Sequence, residues 1–268
     1  MKYITIFAFS FLYCQVFSQQ YDSVKVENKN IDSDNKVYKI GNVYIFDYEI
    51  VENNKSYKLN ETSRTAFEFV DAKTDTVSLK NIHLIIQPQL DSLRTNENQT
   101  EIVYLPIPLL NSVSSTGLIE NKDNIWLHPI RDGFFQCLET CPFPYIKFPI
   151  KKNQTWTDAM LIGEAWGNEK WGKWEGSLLL KYNYKITGKK TLKTDLGIIK
   201  CYIVESFAES SIGNTKLVSY YSKKYGFVRY EYTLLNNIKV NIWLTGYMKN
   251  KKFEETLDIL DTKKYIKE

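Results

Sequence analysis

Trp174–Ile186 reads WEGSLLLKYNYKI, and its alternation decides the fold class. Leu178, Leu180, Tyr182, Tyr184 and Ile186 fall on one side, and Leu179, Lys181, Asn183 and Lys185 on the other. A period of two is the pattern of a β-strand with one covered face. The run extends about 13 residues, or ~43 Å, and strands of that length twist strongly and curl their sheet.

The chain downstream continues in the same manner. TGKK (187–190) reads as a turn, and TLKT and IIKCYIVESFAES read as strands around the turn DLG. SIGNT turns the chain again before KLVSYYS. In FVRYEYTLL, Val228, Tyr230, Tyr232 and Leu234 oppose Arg229, Glu231 and Thr233. Asn236–Asn237 is a two-residue hairpin signal, because Asn tolerates positive φ. In IKVNIWLT, Ile238, Val240, Ile242 and Leu244 face inward, which turns Trp243 outward as a candidate contact surface. Short turns between successive strands make an antiparallel meander.

Upstream, NVYIFDYEI (42–50) puts Tyr44, Phe46, Tyr48 and Ile50 on one face, and residues 61–71 and 76–86 read as two further strands. Residues 87–101 are polar, and a subdomain boundary is expected near 88–124. Pro106 and Pro108 confine EIVYLPIPLL to an edge or crossing segment. Residues 124–150 are irregular, proline-rich and apolar, the sort of packed-down loop that lines a cleft. Phe253, Leu257 and Leu260 recur at helical spacing, so 251–268 reads as a short helical tail. The expected fold is therefore all-β: a curved antiparallel meander, half-barrel or open barrel, with long irregular loops and a C-terminal helix, formed as one large domain over 19–250.

The first residues, MKYITIFAFSFLYCQVFSQQ, carry Lys2, an apolar run and Val16 and Ser18 at −3 and −1 of a cut before Gln19. This is the pattern of a secretory signal peptide cleaved after Ser18, and implies export to the periplasm or beyond. A lipoprotein reading would use Cys14, but sets bulky Tyr13 at −1. The apolar run is too short to span a bilayer, and no other stretch would cross as a helix. The net charge of +4 is mild and no arginine-rich cluster occurs, which argues against nucleic acid as a partner. Cys137, Cys141 and Cys201 lie beyond the leader. Residues four apart in a strand are ~13 Å from each other, so QCLETCPFP must turn if a Cys137–Cys141 disulfide forms, the expectation in an oxidising compartment. Cys201 reads as a buried small hydrophobe.

The 19 tyrosines raise the question of a site. Tyr44, Tyr48, Tyr182, Tyr184, Tyr230 and Tyr232 face inward. A buried phenol needs a partner for its hydroxyl. One reading is a partly wet concavity that takes a lipid or other amphipathic small molecule, lined by Tyr182, Tyr184, Tyr230 and Tyr232, with Trp166, Trp171 and Trp174 at its mouth. The other is that the hydroxyls bond backbone groups and the tryptophans plug the sheet. No G-x-S-x-G, H-E-x-x-H or phosphate loop occurs, no catalytic residue is assigned, and nothing calls for a cofactor. His83 reads as a plain strand residue. His128 with Cys137 and Cys141 fits no standard zinc spacing. Glu164, Glu169 and Glu175 near the tryptophans would serve a glycosidase only as a facing pair.

LKTDLGIIKCYIVE (192–205) and YYSKKYGFVRYEYT (220–233) together resemble exported bacterial proteins of the domain-of-unknown-function kind. These share a Thr-x-x-Gly turn between two strands and a later Gly-Phe/Leu-Val-Lys/Arg hairpin, matched here by Thr194, Gly197, Cys201, Gly226, Val228 and Arg229. WLHPIRDGFF and CPFPYIKFPI are similar to a middle block of such proteins, so the likeness spans Ile125–Leu244. It implies a curved antiparallel half-barrel, distantly like periplasmic lipoprotein carriers, and no known activity. Three function classes follow: a non-enzymatic exported binder of an apolar or amphipathic ligand, an envelope structural or interaction protein, and a carbohydrate-active hydrolase. An open hollow marks the first. A filled hollow with a bare apolar outer patch marks the second, and two facing carboxylates in a Trp-lined cleft mark the third.

Overall fold

The computed structural model describes residues 24–251 and Glu255, apart from 28, 30, 62–65, 74–78, 88–97 and 108–113. The expected signal peptide, Pro108 and most of the expected helical tail lie outside the described residues. The chain forms one antiparallel sheet. Its strands are β1 (Val43–Glu52), β2 (Lys55–Glu61), β3 (Phe67–Asp71), β4 (Asn81–Ile86), β5 (Thr100–Ile107), β6 (Ser114–Glu120) and β7 (Asn124–Leu127). There follow β8 (Tyr145–Lys147), β9 (Thr155–Gly163), β10 (Ser177–Thr194), β11 (Gly197–Ser210), β12 (Gly213–Ser222), β13 (Gly226–Thr233) and β14 (Lys239–Met248). Twelve strands lie in the order β8-β7-β6-β5-β4-β1-β14-β13-β12-β11-β10-β9, and the β2–β3 hairpin branches from β1. β5 and β6 pair with each other and continue this sheet from β4.

Connectivity forces the curl. β8 and β9 end the path on opposite sides, yet only residues 148–154 join them. Those residues reach at most ~28 Å when extended. A flat sheet of this many strands would be ~53 Å wide. The ends therefore come together as a half-barrel, and they meet through rings: Tyr145 of β8 lies 5.5 Å from both Trp156 of β9 and Tyr184 of β10. Trp156 and Tyr184 stack in parallel at 5.3 Å.

The alternation read in Trp174–Ile186 is borne out, with Leu178, Leu180, Tyr182, Tyr184 and Ile186 all buried. Three local expectations are corrected. TGKK does not turn the chain, since β10 runs through it for 18 residues and absorbs the Gly188 region as a register shift against β11. Pro106 sits opposite Ile82 in a strand that has β4 on one side and β6 on the other. Cys137 and Cys141 are separate buried thiols and no disulfide joins them. Cys137 lies within the 3₁₀ segment Gly133–Thr140 and Cys141 follows it in extended backbone.

The two motif turns have local causes. Thr194 Oγ1 donates to the Gly197 carbonyl at 2.9 Å, and Gly197 takes φ +93°. Ser210 and Gly213 repeat the device at the next turn, with a 2.7 Å bond and φ +130°. Gly226 combines φ +71° with close approach, since a Cβ there would lie 2.3 Å from the Tyr38 hydroxyl.

Candidate functional site

The hollow of the curled sheet is occupied by its own chain. Residues 128–144 leave β7, form the 3₁₀ segment and return to β8, and they bury Ile130, Phe134, Phe135, Leu138 and Phe143 inside. Phe135 packs edge-on to Tyr48 at 5.4 Å, and Phe134 packs on Phe69 at 4.9 Å. The space left among Phe46, Tyr104, Ile130, Leu138, Tyr230 and Tyr232 is about 20 Å³. That is room for about one water molecule. The irregular segment read as a cleft lining is the filling.

The inward phenols explain how the filling is held. Tyr44 donates to the Val37 carbonyl at 2.8 Å and Tyr48 to that of Leu79 at 2.9 Å. Tyr104 donates to the His128 carbonyl at 2.8 Å and Tyr184 to that of Phe143 at 3.2 Å. All four acceptors belong to backbone outside the strands. Such carbonyls have no ladder partner and must be satisfied some other way. Each tyrosine thus fastens an irregular segment onto the sheet. Tyr230 and Tyr232 stack at 6.2 Å, and Tyr230 reaches the Phe227 carbonyl at 3.5 Å. Tyr182 differs, since its buried hydroxyl has no hydrogen-bond partner among the described residues.

The tryptophans cap one mouth. Trp171 is buried, stacked on Phe67 at 6.0 Å and edge-on to Phe134 at 5.8 Å, with its Nε1 donating to the Trp166 carbonyl at 3.0 Å. Trp166 and Trp174 are half-buried against the same core. Lys170 ties this loop to Glu52 of β1 at 2.8 Å, and Asn236 donates to the Lys170 carbonyl. The nearby carboxylates do not form a facing pair. Glu164 accepts the Gly176 amide at 2.6 Å, exposed Glu169 pairs with Lys173 at 2.7 Å, and Glu175 is exposed.

One buried titratable pair lies in the filling. His128 Nε2 is 3.4 Å from Glu139 Oε1, and His128 Nδ1 is 2.8 Å from the Pro129 carbonyl. Nδ1 therefore carries a proton. Burial raises Glu139 to about 7 and lowers His128 to about 4, the neighbouring Arg131 acting down on both. Burial alone lowers His83 of β4 to about 4. Burial also holds the Cys141 thiol up at about 12, so it is no ready thiolate. His128 turns to Glu139, and among the described residues no three metal-ligating side chains converge.

The outer face differs. Leu161 of β9 and Leu179 of β10 are directly opposed and 64% and 43% exposed. Among the described strands β9 ends the path and pairs with β10. Phe207 of β11 is also exposed, with the Lys216 ammonium 5.0 Å over its ring. Trp243 does face outward, but it is half-buried, flanked by Asp47 and Arg229 in the ladder and overlain by Lys58 at 5.8 Å. Sequence reasoning missed Leu161 because the β9 segment followed an unassigned stretch.

No family model matches the chain, and no curated protein does. Similar solved structures exist. One is a Bacteroides fragilis protein described as exported with a YmcC-like fold, at 10% identity and TM-score 0.43, covering 79% of this chain and 97% of that one. A second is a Parabacteroides distasonis protein described as a lipoprotein, at 13% identity and TM-score 0.44, with the same coverage. A third is the hypothetical lipoprotein YmcC of Escherichia coli, at 13% identity and TM-score 0.35, covering 81% of this chain and 91% of that one.

Proposed function

We propose that this is an exported, non-enzymatic interaction protein of the cell envelope, and that its hollow is a core instead of a ligand chamber. The observation that carries the reading is the filling of the hollow, with about 20 Å³ left beside Tyr230 and Tyr232. A drug-sized ligand needs ~300 Å³ or more. Tyr182, Tyr184, Tyr230, Tyr232 and Trp171 then serve packing, and Trp166 and Trp174 close the mouth. Export rests on the leader-like residues 2–18. The partner surface is the outer face of the β9–β10 pair with the exposed Leu161 and Leu179, where an apolar segment of another protein covers the leucines.

Native mass spectrometry of the protein purified from its own host tests this. The expected result is the mature polypeptide with no small-molecule adduct and a protein complex that Leu161→Lys with Leu179→Lys dissociates. A stoichiometric lipid adduct that persists in that variant overturns the reading.

A further inference from the structure

Where β11 starts, it outruns its neighbour. β12 pairs with Tyr202–Ser210, so among the described residues Gly197–Cys201 have β10 on one side and no strand on the other. The β12–β13 turn, Lys223–Tyr225, stands opposite this gap, and the notch between them measures about 430 Å³. Its electrostatics are one-sided. Lys189, Lys200, Lys223 and Lys224 line it, and among the described residues no carboxylate does. All four are exposed, and none has an ion pair among the described residues.

The notch is also amphipathic. The Lys189 ammonium lies 5.0 Å over the Tyr202 ring and that of Lys224 lies 4.5 Å over Tyr225, so two of the cations sit over aromatic rings of the notch. Ile198, in its wall, is 77% exposed, above every other exposed large hydrophobic side chain among the described residues. Unpaired cations and a protruding aliphatic side chain together suit a partner that is anionic at its face and apolar just behind it. A free phosphate offers nothing to Ile198, and exposed lysines hold a lone ion weakly. An anionic bilayer engages all four lysines at once and takes up the isoleucine.

We propose that this notch docks the chain on an anionic phospholipid surface, with the lysines on the head-group phosphates and Ile198 at the acyl boundary. Near such a surface each lysine is worth about fivefold in binding. Co-sedimentation with phosphatidylcholine vesicles, with and without phosphatidylglycerol, tests it on the whole mature protein. Binding is expected only with phosphatidylglycerol, and to fall when salt is raised from about 0.1 M to about 1 M. Lys223→Glu with Lys224→Glu should weaken it at least about 25-fold, and Ile198→Ser about tenfold. Equal binding to both vesicles overturns the proposal, as does wild-type binding by the lysine variant. Inorganic phosphate saturating the notch without vesicles, seen as shifts of the Tyr202 and Tyr225 resonances, also overturns it. The wild-type salt dependence decides the matter even if a variant is poorly folded.

Discussion

The inner and outer faces of the same strands are built from different materials. On β10 the inner row is Leu178, Leu180, Tyr182, Tyr184 and Ile186, all buried, while the outer row holds exposed Leu179, Asn183 and Lys185. The inner aromatics belong to a filled core fastened by hydroxyl-to-carbonyl bonds, while the outer face keeps bare leucines and exposed lysines. The difference teaches that tyrosine richness is no measure of an open site. A phenol satisfied by loop backbone is as dry as a phenylalanine, and brings an irregular segment with it.

Substitutions should separate the two faces sharply. Phe134→Ala, in the filling, is expected to cost about 3–5 kcal/mol by chemical denaturation, since the ring contacts Phe67, Phe69, Phe135 and Trp171. Phe207→Ala on the outside should change stability by less than about 0.5 kcal/mol. Equal losses would mean that the filling is not packed as described.

A second contrast lies within the phenols. Tyr48 both donates to the Leu79 carbonyl and accepts the Leu59 amide at 2.8 Å. Tyr48→Phe removes both bonds, at a cost of about 2 kcal/mol in thermal or urea unfolding. Tyr182→Phe, with no bond to lose, should be neutral or slightly stabilising. A large loss there would reveal an unseen partner for that hydroxyl.

Acid sensitivity gives a third test. His83 and His128 are lowered to about 4 when folded, so the stability they carry is present above their unfolded value near 6.5 and is lost as pH falls toward 4. Glu139 is raised to about 7, so its contribution is present below 4.5 and is lost as pH rises to 7. Between pH 4.5 and 6.5 these groups give two protons taken up on unfolding against one released, a net slope of about 1.4 kcal/mol per pH unit favouring higher pH. Glu139→Gln removes the opposing proton and should roughly double that slope in urea titrations across this window. An unchanged slope would mean that Glu139 is ionised in the folded state.

The sheet and its inner rows were legible because period-two patterning is local. Thr194–Gly197 and Asn237, which takes φ +63° in its turn, were legible for the same reason. What escaped was set by distant neighbours. TGKK looks like a turn until β11 is seen to run opposite it, and Pro106 looks like an edge residue until β5 is seen between β4 and β6. The destinations of the phenol hydroxyls were invisible, because Tyr184 finds its acceptor 41 residues away and Tyr48 finds its own 31 away. The tryptophan loop was read as plug or platform, and its tie to Glu52, 118 residues distant, favours the plug.

The pairing of β1 with β14 carries a consequence for synthesis. Val43 lies opposite Met248, so the strand at the middle of the sheet waits for residues made some two hundred positions later. Until they emerge, a nascent chain displays the open hydrogen-bonding flank of β1 along its ten residues. Export before folding, or a guardian that covers that flank during translation, meets the same need: keeping two unfinished copies from completing each other.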